Sequence, residues 1–184
     1  VVEPAFAPLL KLCPAVKRII PCNLRQWRKS FWQTDARRAW HAFKHDLQAT
    51  AYDAVIDLQG LTKSALISRL ATLTPNGKRY AMANRTEGSG YEAPTRWVAD
   101  IAVSCEWHSH ALDRARHVCA QALGYALPSQ LQAGLLATPH TEVLPQTVAL
   151  VHGSSRADKA WPLEHWQVLG QALQAQGFQL ALPH

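Results

Sequence analysis

Several familiar patterns are missing from this sequence of 184 residues. No stretch approaches the roughly 18 uninterrupted apolar residues that a membrane span needs. The opening, Val1 to Arg18, has no basic leader, and Glu3, Pro4 and Pro8 interrupt the apolar run that a signal peptide requires. There is no Walker motif and no GxGxxG, which withdraws support from ATP hydrolysis and from plain nicotinamide binding. The four cysteines, Cys13, Cys22, Cys105 and Cys119, form no CxxC pair and stand beside no histidine at ligand spacing. They read as small buried thiols in a reducing compartment rather than as a disulfide framework or zinc site. His41 and His45 are one helical turn apart, but no acid or cysteine nearby completes a metal site. Charged residues are only 17% and apolar residues 48%, which excludes intrinsic disorder, a collagen repeat and a coiled coil.

The charge that is present is uneven. Net charge is +6, yet residues 17–44 alone hold Lys17, Arg18, Arg25, Arg28, Lys29, Arg37, Arg38 and Lys44 against the single acid Asp35, or +7. The remainder is near neutral. Trp27, Phe31, Trp32 and Trp40 interleave with these cations. Such a segment suits nucleic acid, an anionic membrane surface, or an acidic or phosphorylated substrate. Guanidinium forks match carboxylate and phosphate oxygens. The plain alternative is a solvated helix face whose aromatics belong to the core.

Hydrophobic patterning predicts an α/β chain. Ala36, Trp40, Phe43 and Leu47 recur at helical spacing over 36–49, and AVIDLQG (54–60) reads as a buried strand. A helix is expected over 61–73, stopped by Thr74–Pro75–Asn76–Gly77, and another over about 108–123, ended by Gly124. TVALVHG (147–153) is a second strand. Leu163, Trp166, Leu169 and Leu173 mark a helix, with Pro162 in its first turn and Gly177 past its end, and FQLALP (178–183) is a strand. Alternating strands and helices imply parallel sheets. Three prolines and weak periodicity make 126–146 a candidate linker. Two doubly wound domains follow: residues 1–125, and residues 147–184, the start of a second domain. The natural protein is expected to continue past His184 and, since the chain opens on Val1, to begin earlier.

The loop His152-Gly153-Ser154-Ser155-Arg156-Ala157-Asp158-Lys159-Ala160-Trp161-Pro162 leaves a strand end and enters a helix. Ligands of open parallel sheets bind there. Two hydroxyls, a guanidinium, an ammonium and the N–H groups of the helix start together suit a diphosphate. Lys159 could neutralise charge on a departing phosphate. The alternative is a capped surface connection with both cations in solvent.

HGSSRADKAWPLEHW and YDAVIDLQGLTKSALISRLA (52–71) resemble the donor loop and an amino-terminal-domain stretch of the bacterial lipopolysaccharide heptosyltransferases. LRQWRKSFW (24–32) and HALDRARHVCAQALGY (110–125) resemble that family's basic segment and the helix before its inter-domain stretch. The resemblance implies a GT-B fold of two Rossmann-like domains, and inverting, metal-independent transfer of L-glycero-D-manno-heptose from ADP-heptose to Kdo of Kdo2-lipid A, with no cofactor. It implies a cytoplasmic enzyme, peripheral on the anionic face of the inner membrane, with no nucleic-acid partner. By resemblance, Lys159 is catalytic; Ser154, Ser155 and Arg156 hold the donor; and Arg25, Arg28, Lys29, Lys63 and Arg96 meet the acceptor. Lys63 also reads as a solvated residue of a helix start, and Arg96 stands in for the arginine of an REP-type tripeptide. The family's general base, an Asp of a GDV-type loop, and its late DTGxxH-type motif have no counterpart here, so the isolated chain is expected to be inactive. Asp53 and Asp57 flank the 54–58 strand; a carboxylate at Asp57, near its carboxyl end, could act on a hydroxyl, but capping of the next helix or local backbone bonding is the favoured reading.

Overall fold

The computed structural model describes residues 1–131, 134–136, 145–153 and 157–182. The chain divides into two compact units, Val1–Leu136 and Ala137–His184.

In the first unit, β1 (Tyr52–Asp57), β2 (Leu73–Met82) and β3 (Ile101–Val103) form a parallel sheet in the order β1-β2-β3. Successive side chains of a strand point to opposite faces, and β1 uses this to serve two cores. Val55 packs into a cluster of Ile20, Cys22, Phe43, Leu47 and Ala71, where α3 (Thr34–Gln48) and α4 (Thr62–Leu70) contribute. Ile56 packs with Met82, Val103, Cys105 and Val118, the last from α6 (Ala111–Leu123). Helices therefore cover both faces, which explains why β1 reads as a continuous apolar run. Gly124 ends α6 in the left-handed conformation at φ 69°, as its position predicts. α1 (Ala7–Lys11), α2 (Leu24–Lys29) and α5 (Pro94–Val98) are short and have no clear signature in the sequence.

The expected stop at Thr74–Gly77 needs correction. α4 ends earlier, at Leu70, and residues 73–82 form the central strand of the sheet. The turn chemistry is nonetheless real. Tyr52 pairs with Leu73 and Ala54 with Lys78, so β1 advances two residues where β2 advances five. Thr74–Gly77 is thus an outward bulge inside the strand. A Cβ on Gly77 would come within 2.5 Å of the Tyr52 carbonyl oxygen, so the close approach of the two backbones requires glycine.

β1 has no second strand neighbour among the described residues. A bridge from Val2 to Pro21 runs parallel nearby, held by Val2 N–H to the Ile20 carbonyl (3.1 Å) and Cys22 N–H to the Val2 carbonyl (2.8 Å).

In the second unit, β4 (Thr147–Ala149) and β5 (Gln179–Ala181) pair in parallel through α7 (Leu163–Ala175), a βαβ unit. Pro162 is the cap residue of α7 rather than part of its first turn, and Gly177 follows the end at φ 86°.

No helix among the described residues is long and apolar enough to cross a membrane. The four cysteines are free thiols. Burial pushes Cys22 and Cys105 above the ordinary thiol range, while Cys13 is only half-buried. Thiolate is the nucleophile. Iodoacetamide at neutral pH should therefore label Cys13 first and leave Cys22 and Cys105 unmodified until denaturant is added. Peptide mass mapping over time reads the order.

Candidate functional site

The first unit holds a groove of about 700 Å³. One side is Val1–Glu3 with Ile20 and Cys22, the other is the edge of β1 from Ala54 to Asp57 with Leu58 and Gln59 after it, and Leu47, Ile67 and Ala71 supply apolar lining. Arg18, Arg25, Arg28 and Lys63 also line it, so the fold brings cations of the basic segment together with one from far along the sequence. α2 carries Arg25 and Arg28. Trp27, between them, anchors the helix on Trp40 and Phe43, with ring centroids 6.1 and 5.5 Å away. Lys63 sits in the first turn of α4, 3.9 Å from Glu3 Oε1 and partly exposed. A pair so exposed is weak and can yield to another anion.

Lys29, also on α2, is exposed and does not line the groove. Arg96 is exposed on α5 and lies outside it too.

Asp57 lines the groove at the carboxyl end of β1 and is only 6% exposed. Its Oδ1 accepts from the backbone N–H groups of Gln59 (2.9 Å) and Gly60 (3.2 Å), and its Oδ2 from the Ser64 hydroxyl (2.9 Å). Both oxygens are engaged in turning the chain from β1 into α4. Asp53 accepts from the Thr74 hydroxyl at 2.9 Å, beside the bulge. Asp57 is therefore not placed as a free base, and Asp53 lies outside the groove lining.

Two further features escape the sequence. Arg18, a member of the basic segment, is a structural cross-brace: it donates to the Tyr52 hydroxyl (2.6 Å), the Thr50 hydroxyl (3.1 Å) and the Asp46 carbonyl (3.2 Å). Glu92 accepts from the Thr62 backbone N–H (2.7 Å) and from the Thr62 hydroxyl, which hold its carboxyl below the usual carboxylate range. That carboxylate answers the start of α4, so anion binding in the groove falls to the side-chain cations. Both contacts span about 30 residues or more, which no local pattern reports.

In the second unit, the chain leaves β4, passes Gly153 and forms a short 3-10 turn, Ala157–Lys159, before α7. Lys159 is exposed at the end of that turn. Trp161 packs edge-on against Trp166 (4.8 Å) and His165 (5.4 Å), fixing the entry to α7 just after Lys159. Ser154, Ser155 and Arg156 lie outside the described residues, as does much of the 126–146 segment.

The family model of glycosyltransferase family 9 (heptosyltransferase) matches residues 40–184. The chain belongs to glycosyltransferase family 9. It is 36% identical over 186 residues to lipopolysaccharide heptosyltransferase 1 of Pseudomonas aeruginosa, covering 100% of this chain and 51% of that protein. It is 35% identical over 188 residues to the protein of the same name from Escherichia coli K12, covering 100% of this chain and 57% of the other. Among solved structures it is similar to E. coli heptosyltransferase WaaC with ADP-2-deoxy-2-fluoro heptose, at a TM-score of 0.83 and 32% identity, over 100% of this chain and 58% of that one. A second structure, WaaC with ADP, matches at the same TM-score. The chain thus spans about half the length of the relatives it matches. Its parallel α/β units match part of that GT-B structure, and among the described residues the first sheet is open along β1.

Proposed function

We propose that the protein transfers L-glycero-D-manno-heptose from ADP-heptose to a Kdo residue of Kdo2-lipid A, inverting the anomeric carbon without a metal ion, at the cytoplasmic face of the inner membrane. The observation that carries this reading is the alignment of the whole chain with a heptosyltransferase structure holding an ADP-heptose analogue. The relatives' common name, heptosyltransferase 1, supports the first heptose addition.

The chemistry divides between the units. The acceptor oxygen attacks the anomeric carbon, the bond from that carbon to the diphosphate breaks, and the electron pair leaves on the phosphate. Lys159, with Ser154, Ser155 and Arg156 of the same loop, stabilises that departing charge. Arg25, Arg28 and Lys63 line one groove and suit the Kdo carboxylate and lipid A phosphates. Lys29 and Arg96, both exposed outside the groove, would meet more distant anionic groups of the same acceptor. The attacking hydroxyl must lose its proton to a base; Asp57, with both oxygens engaged, and Asp53, outside the groove lining, are poorly suited to that role.

The full-length protein should release ADP from ADP-heptose only when Kdo2-lipid A is present, at a rate unaffected by EDTA. ADP-glucose should be a poor donor. ADP release that ignores the acceptor, or transfer that requires a divalent cation, would overturn the reading.

A further inference from the structure

The four aromatic residues of the basic segment divide into two pairs. Trp27 and Trp40 are packed on Phe43 within the core. Phe31 and Trp32 are 55% and 91% exposed and touch only edge-on, with ring centroids 6.3 Å apart. They occupy the two central positions of the turn Ser30–Gln33, closed by the Gln33 N–H to the Ser30 carbonyl at 2.9 Å. Those positions ordinarily carry Gly, Pro, Asn, Asp or Ser. Two large rings at a turn tip contribute nothing to this core, and their exposure costs solubility.

The helices on either side of the turn carry the surrounding charge. Arg25, Arg28 and Lys29 are on α2, Arg37 and Arg38 on α3, and all five are exposed. Arg38 pairs with Asp35 at 3.8 Å, whereas the other four have no acidic partner among the described residues. A projecting aromatic tip between unpaired cations matches the interface of an anionic bilayer, where tryptophan prefers the headgroup level. Single-stranded nucleic acid is instead held in a basic groove floored by ring faces.

We propose that the Ser30–Gln33 turn is a docking element for an anionic lipid bilayer. Phe31 and Trp32 enter the headgroup region, while Lys29 and Arg37, with Arg25 and Arg28, meet lipid phosphates. Each cation near such a surface strengthens binding by about fivefold. α2 joins this turn to the groove lined by Arg25 and Arg28, so docking brings the groove close to the lipid surface. The proposal rests on the heptosyltransferase reading only for its purpose, access to a lipid-borne acceptor.

The test is sedimentation of the protein with phosphatidylcholine vesicles and with phosphatidylcholine–phosphatidylglycerol vesicles at about 3:1, both free of lipopolysaccharide. The protein should bind the anionic vesicles and not the neutral ones. The double substitution Phe31→Ser/Trp32→Ser should lower the partition coefficient by about tenfold or more with an unchanged circular dichroism spectrum. Lys29→Gln/Arg37→Gln should lower it by about tenfold or more and flatten its salt dependence. Equal binding by parent and the aromatic double variant would overturn the proposal, as would displacement of the parent from vesicles by mixed-sequence single-stranded DNA. Transfer to a water-soluble, deacylated acceptor separates the two readings. Docking without any transfer sinks only the catalytic reading, and transfer without docking sinks only this one.

Discussion

Replacing Lys159 with alanine should lower kcat for heptose transfer by about 10²–10³-fold, the usual cost of removing one preorganised stabiliser of transition-state charge. Charge accumulates on the diphosphate only as the bond to the anomeric carbon breaks. A cation aimed at that oxygen therefore acts more strongly on the transition state than on bound ADP-heptose. KM for Kdo2-lipid A should stay within about twofold, because a residue of the donor loop contributes little to acceptor binding. Lys159→Arg should recover part of the rate, since it restores the charge but with a planar fork in place of a compact ammonium. Initial rates of ADP release, with donor and acceptor varied separately, give these values. If Lys159→Ala turned over like the parent, Lys159 would be an ordinary exposed lysine at the end of a 3-10 turn, and the diphosphate would need another partner. The side chain is exposed and lies outside both hydrophobic clusters, so the substitution should leave the melting temperature unchanged, and a lost rate can be assigned to chemistry.

What the sequence revealed and what it hid follow from the range of each interaction. α3, α6 and α7 were legible because their apolar residues recur at helical spacing and a glycine follows each of the last two. β1 was legible because burial on both faces makes its sequence a continuous apolar run. The central strand β2 was hidden by its own bulge: a Thr-Pro-Asn-Gly stretch carries the chemistry of a turn wherever it sits, and only pairing with β1 keeps it within a strand. The basic segment announced its charge but not its division of labour. Arg18 braces α3 against β1, Arg25 and Arg28 face the groove, and Trp27 and Trp40 are core, while Phe31 and Trp32 are not. That sorting depends on which helix face meets the sheet, a tertiary fact without a local signature. For the same reason Glu92 at the start of α4 could not be foreseen.

Asp57 offers the sharpest separation of structure from catalysis. Asp57→Ala should destabilise the first unit by about 1–3 kcal/mol, because it removes the acceptor of the Gln59 and Gly60 N–H groups, the latter buried, while the Ser64 hydroxyl keeps its bond to the Leu61 carbonyl (2.8 Å). Asp57→Asn should cost about 1 kcal/mol, since one amide oxygen can still accept both backbone N–H groups and the amide nitrogen can donate to Ser64. A catalytic base shows the opposite pattern. An asparagine there cannot take a proton, so activity would fall by about 10²–10⁴-fold while the fold persisted. Urea denaturation and transfer rates measured on the same two variants distinguish the cases. With Asp57 as the residue that turns β1 into α4, Asp57→Asn keeps transfer within about threefold and Asp57→Ala shifts the urea midpoint strongly downward. Gly60 explains why this turn tolerates so little. It sits at φ 69°, and a Cβ there would come within 2.5 Å of the Met82 methyl, a side chain only 1% exposed. The backbone around the carboxylate is therefore confined on one side by the second core and on the other by the groove. Loss of the Asp57 hydrogen bonds would displace Lys63, which follows Gly60 by three residues, and so would perturb the groove lining without Asp57 ever touching a substrate.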